Sequence, residues 1–356
     1  MIQRTTFRVE ARPSDIPSKT WQQLLSDSVT TPEGLLRSLG LDPDHWLAGA
    51  ESGHRLFSIR VPTPYLSRIE YGNPQDPLLR QVLPLADEDH SQPGFIQDPL
   101  QERSATQTPG LIRKYRSRAL LMVTGQCAIN CRYCFRRHFP YAEHRLSARE
   151  RSDVLDALAA DPDINEVILS GGDPLVANDQ LLARWAQDLE ALPGIRRLRI
   201  HTRLPIVIPQ RVDAALTDWL SRSRLQTVIV LHINHPREID ASVRSALIRL
   251  KSTGATLLNQ SVILKGVNDD VDTLASLSEG LFDAGVMPYY LHAFDPVSGA
   301  HHFDVSDDRA RELVRTLQSR LPGFLVPRLV REIPGEAGKT LLDLEDPAGY
   351  RRPQGA

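Results

Sequence analysis

Residues 118–134 read RALLMVTGQCAINCRYC and join a short apolar run to a group of cysteines. The run 118–125 is short, apolar and closed by a glycine, which predicts a buried β-strand. Cys127, Cys131 and Cys134 follow it directly, and the chain has no other cysteine. Since ligands bind at the carboxyl ends of parallel strands, this stretch predicts both the first strand of a sheet and the position of a site.

Five further apolar runs follow, each ahead of a segment with helical spacing. The runs are 165–170, 196–201, 226–233, 255–264 and 287–294. The predicted helices are 147–160, 178–192, 209–221, 237–253, 272–284 and 306–321, and Ser147 with Glu150 forms a capping box at the first. Six strand–helix units predict an α/β fold with a parallel sheet, either an open doubly wound sheet or a full or partial barrel.

The chain before residue 111 has a different character. Apolar residues recur at helical spacing from Trp21 to Trp46, and Thr31 precedes Pro32 as an N-cap. Residues 71–110 are rich in proline, glycine and acids, which predicts an irregular connection that packs on the main domain. We therefore predict a helical and irregular N-terminal extension at 1–110, a core barrel or sheet at 111–325 and a C-terminal segment at 326–356.

Composition excludes several classes of protein. With 356 residues, 41% of them hydrophobic, the chain can bury a full core, which excludes disordered and fibrous proteins. A formal net charge of -2 gives no global attraction to nucleic acid or to an anionic membrane. No stretch approaches the roughly 20 apolar residues that span a bilayer, and the first residues lack the core of a signal peptide. We expect a cytoplasmic protein whose partner is a small molecule, with neither nucleic acid nor membrane as partner.

The three cysteines form a ligand set rather than a disulfide framework. Three thiolates can hold three irons of a [4Fe-4S] cluster and leave the fourth iron open. The alternatives are a zinc site completed by His138 or His144, although zinc sites usually show C-x2-C pairs, and three unrelated thiols. The C-x3-C-x2-C spacing, with Tyr133 before the last cysteine, resembles the radical S-adenosylmethionine (SAM) superfamily. That resemblance implies that SAM binds the open iron and that Tyr133 lies beside its adenine.

Ser170, Gly171, Gly172 and Asp173 follow the second predicted strand. By itself this segment reads as an ordinary turn. In register with the cysteines, it resembles the glycine-rich motif of the same superfamily. The resemblance implies that these four residues contact the methionine amino group of SAM.

Lys339 stands in the glycine-bearing segment EIPGEAGKT, residues 332–340. A phosphate-binding loop of the form G-x-x-x-x-G-K-[ST] requires a glycine at position 333, where this chain has isoleucine. Two interpretations remain, a solvated surface lysine and a lysine that attaches pyridoxal phosphate (PLP) covalently.

Four segments resemble the lysine 2,3-aminomutase family, with order and spacing kept over residues 98–340. They are FRR at 135–137, LHINHP at 231–236, NQS at 259–261 and the stretch from Pro334 to Lys339. The resemblance implies a partial (β/α)6 barrel of the radical SAM type and a flavodoxin- or ferredoxin-type electron donor. It also implies a [4Fe-4S] cluster, SAM and PLP as cofactors.

The same resemblance carries residue roles. It makes Lys339 the PLP lysine and puts Lys114, Tyr115 and Arg118 around that cofactor. Lys114 replaces an arginine of the clostridial enzymes, so the positive charge is kept and the bidentate fork is lost. His232 and Gln260 would line the space between SAM and PLP.

Three charged residues match the family's substrate site. Arg136 matches the arginine that binds the carboxylate of lysine, and Asp295 and Glu332 match two acids that hold its distal ammonium. Either acid alone reads as a surface residue. Together they favour lysine over glutamate, whose distal carboxylate they would repel.

Segments 331–340 and 289–303, and the lack of C-terminal zinc-binding cysteines, resemble the bacterial branch that supplies β-lysine for modifying elongation factor P. We therefore predict an isomerase that makes β-lysine from free L-lysine and is linked to elongation factor P and its lysine ligase. The oligomeric state stays open between a monomer and a homo-oligomer. One alternative is an aminomutase of lysine catabolism or osmolyte synthesis. Another is a non-catalytic iron–sulfur or zinc protein that binds nucleic acid through the arginine-rich runs 113–118 and 132–137.

Overall fold

The computed structural model describes residues 19–140, 147–342 and 344. Within this part of the chain, the strands form one sheet in which the order β1 to β10 follows the sequence. The strands are β1 Thr106–Thr108, β2 Leu111–Ile112, β3 Arg118–Thr124, β4 Glu166–Gly171, β5 Arg197–Thr202, β6 Gln226–Leu231, β7 Thr256–Val262, β8 Met287–His292, β9 Arg328–Arg331 and β10 Thr340–Leu341.

Strands β3 to β9 are parallel, and every one pairs with its neighbour in the sequence. A doubly wound sheet would reverse its strand order at a switch point, whereas here each crossover moves one strand further in the same direction. The structure therefore confirms the partial barrel and excludes the doubly wound alternative. β9 adds a seventh parallel strand to the six predicted, and β1, β2 and β10 extend the two edges with antiparallel pairs.

Helices precede the sheet and connect its parallel strands. They are α1 Trp21–Ser26, α2 Pro32–Ser38, α3 Pro43–Leu56, α4 Thr63–Leu66, α5 Pro77–Arg80, α6 Ala148–Ala160, α7 Asp179–Ala191, α8 Leu204–Val207, α9 Ala214–Arg222, α10 Ala241–Ser252, α11 Val271–Asp283 and α12 Asp307–Arg320. The predicted capping box forms, since the Ser147 hydroxyl accepts from the Glu150 amide and the Glu150 carboxylate accepts from the Ser147 amide. None of the helices described is long and apolar enough to cross a membrane.

The N-terminal helices share the hydrophobic core of the barrel. Trp21 and Leu35 belong to the same buried cluster as Leu121 of β3 and Leu169 of β4. Residues 71–110, predicted to be irregular, contain α5 and β1 and bury Leu78 in that cluster. This connection packs on the barrel, as the sequence predicts.

The inner face of the sheet is polar near the carboxyl ends of its strands. In β5, Leu198 and Ile200 are buried with no exposed surface, whereas Arg199 and His201 point to the opposite face and line a cavity. Alternate side chains of a strand face opposite sides, so β5 serves the hydrophobic core and the cavity at once. The barrel therefore encloses a site.

Candidate active site

A cavity of about 250 Å³ opens at the carboxyl ends of the parallel strands. Every residue that the sequence predicts for the site lines this cavity. These residues are Lys114, Tyr115, Arg118, Cys127, Cys131, Tyr133, Cys134, Arg136, Ser170, Gly171, Gly172, Asp173, His232, Gln260, Asp295, Glu332 and Lys339. The fold thus gathers residues that are far apart in the sequence, although their individual roles stay predictions.

The cysteine loop follows β3 and brings three partly buried thiols to the cavity wall. Burial and the neighbouring cysteines raise the pKa of Cys134 to about 11 and also raise the pKa of Cys127. All three thiols can therefore lose their protons together only if a positively charged centre lies beside them. Nη1 of Arg203 lies 2.7 Å from Sγ of Cys131 and supplies part of that charge.

The zinc alternative requires the thiols and a histidine to share one ion. Across residues 19–140, 147–342 and 344, no three His, Cys, Asp or Glu side chains are placed to share one ion. Nε2 of His138 lies 3.1 Å from the Ser298 carbonyl oxygen, and His144 falls outside the described residues. Cys127, Cys131 and Cys134 line one cavity together, as a cluster in which each thiolate binds a different iron requires.

Two arginines of the cysteine loop are anchored by the N-terminal extension. Arg132 and Arg137 both donate to the carboxylate of Glu88, and all three side chains are fully buried. Arg132 also donates to the carbonyl oxygens of Phe57 and Gly53, at 2.6 and 2.9 Å. The extension therefore fixes the loop that carries the cysteines.

The glycine-rich segment after β4 packs directly on the residues that lead into the cysteine loop. Gly171 has a φ of +119°, and a Cβ there would lie 2.3 Å from the carbonyl oxygen of Thr124. A Cβ on Gly172 would lie 2.3 Å from the carbonyl oxygen of Gln126. The Gly172 amide donates to Thr124 at 2.8 Å, so the glycines allow β3 and β4 to meet closely at this end.

Asp173 holds the next loop of the barrel. Its carboxylate accepts from the Thr202 hydroxyl at 2.7 Å and from the amides of Arg203 and Leu204 at 2.7 and 2.9 Å. These bonds tie β4 to the loop after β5. The contact of residues 170–173 with SAM remains a prediction.

Five charged side chains form a chain across the cavity in which cations and acids alternate. Arg136 donates to Glu102 through Nε and Nη2, at 2.6 and 2.8 Å. Lys114 Nζ lies 2.8 Å from Glu102 and 2.7 Å from Glu332. Lys339 Nζ lies 3.0 Å from the second oxygen of Glu332. The lysine predicted to hold PLP therefore already lies beside an acid predicted to bind the substrate.

The acids of the cavity differ in protonation. Burial would raise the pKa of Glu332, but Lys339 and Lys114 hold it below its usual range. Burial and the negative charge of Glu332 raise the pKa of Asp295 to about 7. Within the described part of the chain, no side chain donates a hydrogen bond to the Asp295 carboxyl group or forms an ion pair with it. Asp295 is thus a partly buried acid that forms no ion pair in the described residues, although the charges of Lys339, Lys114 and Arg331 partly offset the rise in its pKa.

Three histidines in the cavity wall are neutral. Burial, with nearby cations such as Arg203, lowers the pKa of His232 to about 3. Burial also lowers the pKa values of His201 and His292. The Nε2 atoms of all three are buried without a hydrogen-bond partner. Orphaned buried nitrogens beside a cavity indicate that a ligand completes the site.

The residues of the site that escaped the sequence analysis include two histidines, an acid and an arginine. His201 ends the predicted strand 196–201 and His292 lies two residues before the end of the predicted strand 287–294, so inspection of strand ends alone could have found them. Glu102 and Arg203 carry no local signal, because their partners Arg136 and Cys131 lie 34 and 72 positions away in the sequence.

Comparison with known proteins agrees with this geometry. A model described as the Radical SAM superfamily matches residues 121–277, so the barrel and its three-cysteine loop are those of a radical SAM enzyme. Proteins named L-lysine 2,3-aminomutase from Escherichia coli (strain K12) and Haemophilus influenzae are 54% and 50% identical over 91% of this chain and 95% of each relative. One from Clostridium subterminale is 33% identical over 92% of this chain and 78% of the relative. The chain belongs to the lysine 2,3-aminomutase family and is an isomerase.

This family implies a [4Fe-4S] cluster, SAM and PLP, and the residues present fit all three. Cys127, Cys131 and Cys134 can hold the cluster. Lys339 lies in the cavity with Lys114 and Arg118, whose charges suit a phosphate.

Among solved structures, a radical SAM methyltransferase from Sphaerobacter thermophilus matches with a TM-score of 0.47 at 18% identity, covering 62% of this chain and 68% of that chain.

Proposed function

We propose that this chain is a SAM- and PLP-dependent lysine 2,3-aminomutase that converts L-α-lysine into β-lysine. The observation that carries the proposal is the placement of Asp295, an acid that forms no ion pair in the described residues, in one cavity with Glu332, Lys339 and Arg136. A substrate with an ammonium at one end and a carboxylate at the other matches these charges.

The ammonium end of lysine is assigned to Asp295 and Glu332. Because Glu332 is one cause of the raised pKa of Asp295, a cation between the two acids would relieve their repulsion. Glutamate would place a third carboxylate there and leave Asp295 without an ion-pair partner, which costs affinity. The acids therefore favour lysine over glutamate.

The carboxylate end is assigned to Arg136. Its Nη1 donates to Ser170 Oγ at 2.8 Å and to the Gly171 carbonyl oxygen at 3.1 Å, so the end of β4 orients the guanidinium. A planar guanidinium recognises a carboxylate through paired hydrogen bonds. A carboxylate requirement favours free lysine over a lysine side chain within a protein.

The cofactors are assigned to the residues predicted for them. The three cysteines bind the cluster. SAM is surrounded by Tyr133, Ser170, Gly171, Gly172 and Asp173. Lys339 attaches PLP, which is surrounded by Lys114, Tyr115 and Arg118. The space between SAM and PLP is lined by His232 and Gln260. When bound, the cluster with SAM supplies a carbon radical and PLP delocalises unpaired spin. The buried residues of the cavity wall would exclude water from this chemistry, and the neutral His232 would add no charge to that wall.

The proposed physiological role is to supply β-lysine for modification of elongation factor P by its lysine ligase. The chain shares more identity with the Escherichia coli and Haemophilus influenzae relatives than with the clostridial one, in keeping with the segments that resemble this branch. The proposal includes a cytoplasmic location and a flavodoxin- or ferredoxin-type electron donor, with the oligomeric state left open.

Mass spectrometry of elongation factor P from cells that lack this gene tests the physiological role. The β-lysyl mass should disappear, and an unchanged mass would favour a role in catabolism or osmolyte synthesis.

A nucleic-acid-binding function receives less support. Two arginines of the arginine-rich run 132–137, Arg132 and Arg137, are buried against Glu88 and so are not exposed to a phosphate backbone. Only exposed or groove-lining cations contact nucleic acid. The enzyme is therefore the better interpretation of these residues.

Anaerobic reconstitution tests the proposed chemistry. We expect four irons for each chain, a PLP absorption band that is lost in Lys339→Ala, and β-lysine formed from free lysine only when SAM and a reductant are present. Stoichiometric zinc without such a band, or a loaded enzyme that leaves lysine unchanged, would reject it.

A further inference from the structure

Glu102 lies in the connection before β1, yet its carboxylate stands between two cations of the cavity. Nε and Nη2 of Arg136 donate to its two oxygens at 2.6 and 2.8 Å. Nζ of Lys114 lies 2.8 Å from Oε1, so a single oxygen serves both cations. Glu102 is 1% exposed, which keeps water from replacing either contact.

Glu102 is charged and held in place. Burial alone would raise its pKa, but Arg136 and Lys114 outweigh burial and hold the pKa at about 2. The Glu102 amide donates to Asp98 at 3.0 Å, and its carbonyl oxygen accepts from the Thr106 hydroxyl at 3.0 Å. A fixed buried anion can determine where two long, flexible cationic side chains lie.

The two cations serve different ligands in the proposed function. Arg136 is assigned to the carboxylate of the substrate, and Lys114 is assigned to PLP. Lys114 also contacts Glu332, which is assigned to the substrate ammonium. Glu102 therefore stands where the substrate site and the PLP site meet.

We infer that Glu102 is a positioning residue that sets the separation of Arg136 and Lys114 and so couples substrate binding to PLP binding. The inference rests on the proposed function for the identity of the two ligands. Glu102 acts through the cations rather than on either ligand. A glutamine at this position would keep the shape, but it lacks the charge and replaces one acceptor oxygen with a donor nitrogen, so the two cations would repel without an acid between them.

The test compares Glu102→Gln, Glu102→Asp and a matched control in the full chain with its cluster reconstituted. Asp179→Asn is the control, since Asp179 pairs at 2.8 Å with the buried Arg211 and neither residue lines the cavity. SAM is left out, so no turnover occurs. Two dissociation constants are measured, that of PLP by absorbance and that of free lysine on the PLP-loaded chain by calorimetry.

Glu102→Gln should raise both dissociation constants by about tenfold or more, and Glu102→Asp should recover part of each loss. Asp179→Asn should leave both constants unchanged. Unchanged constants in Glu102→Gln, or a change in only one of them, would overturn the inference. If Glu102→Gln does not fold, a rise in both constants for Glu102→Asp supports the inference and no rise overturns it. β-Lysine formation by the parent chain tests the proposed function separately, because both binding measurements are made without catalysis.

Discussion

At the scale of single residues, Asp295 differs from Glu102 and Glu332, the two acids of the cavity that form ion pairs. Cations hold the pKa of Glu102 at about 2, whereas burial and Glu332 raise the pKa of Asp295 to about 7. Between the usual carboxyl pKa and about 7, the folded chain binds a proton at Asp295 that the unfolded chain has released. Asp295 therefore makes the ligand-free fold less stable as the pH rises through that window, and a bound cation reverses this effect.

This protonation predicts the pH dependence of lysine binding. Below about 7 a proton competes with the substrate ammonium for Asp295, so each lower pH unit should weaken lysine binding by up to about tenfold. Calorimetry on the PLP-loaded chain without SAM measures the slope. Asp295→Asn should weaken binding and remove the slope, whereas Asp304→Asn, at an exposed acid outside the cavity, should retain it. An identical slope in Asp295→Asn would contradict the role of this acid.

Single residues also show where sequence analysis succeeds. Asp295 and Lys339 were predicted because they occur in segments that resemble a family, and both line the cavity. Glu102 and Arg203 were missed because a buried ion pair between distant positions leaves no periodic or local pattern. Such pairs become visible only when the fold brings their partners together.

At the scale of elements, the junction of β3 and β4 depends on a glycine. Gly171→Ala would place a Cβ 2.3 Å from the Thr124 carbonyl oxygen, on a backbone whose φ of +119° strains any L side chain. We expect a loss of more than about 1 kcal/mol in the free energy of unfolding and fewer irons bound for each chain. Urea unfolding and iron analysis measure the two effects.

Gly323→Ala is the control for this prediction, because a Cβ there meets no atom within 4 Å. It should change the unfolding free energy by no more than about 0.5 kcal/mol. Equal effects of the two substitutions would show that the close approach of β3 and β4 does not matter.

The parallel strands could be predicted because both of their faces are largely buried, which leaves continuous apolar runs in the sequence. β1, β2 and β10 have two or three residues each, too few for a pattern to emerge. Hydrophobic patterning alone does not predict the strand order, since strand–helix repeats are common to barrels and doubly wound sheets, and only the family resemblance favours the barrel. It depends on which edge of the sheet each crossover reaches.

At the scale of the whole molecule, the N-terminal extension and the cysteine loop are joined through Glu88. Glu88→Gln would leave the buried Arg132 and Arg137 without a carboxylate, and we expect a loss of about 3–5 kcal/mol in the unfolding free energy together with reduced iron content. Denaturant unfolding under anaerobic conditions checks the first effect.

Glu70→Gln provides the comparison, since Glu70 forms an exposed pair with Arg237 at 4.0 Å and should contribute at most about 1 kcal/mol. Similar losses in the two variants would argue against the anchoring role of the extension.

The division into an extension at 1–110, a barrel at 111–325 and a C-terminal segment at 326–356 stays a prediction. The shared core shows, however, that the N-terminal helices pack as part of the barrel's structure.

The central claim is that this cavity moves the amino group of lysine from one carbon to the next within a single molecule. Lysine labelled with nitrogen-15 at its α-amino group, supplied anaerobically to the enzyme loaded with cluster, SAM and PLP, tests this claim most directly. β-Lysine with the label on its β-amino group is expected, detected by mass spectrometry or by nuclear magnetic resonance. Unchanged lysine from the fully loaded enzyme, or β-lysine without the label, would contradict it.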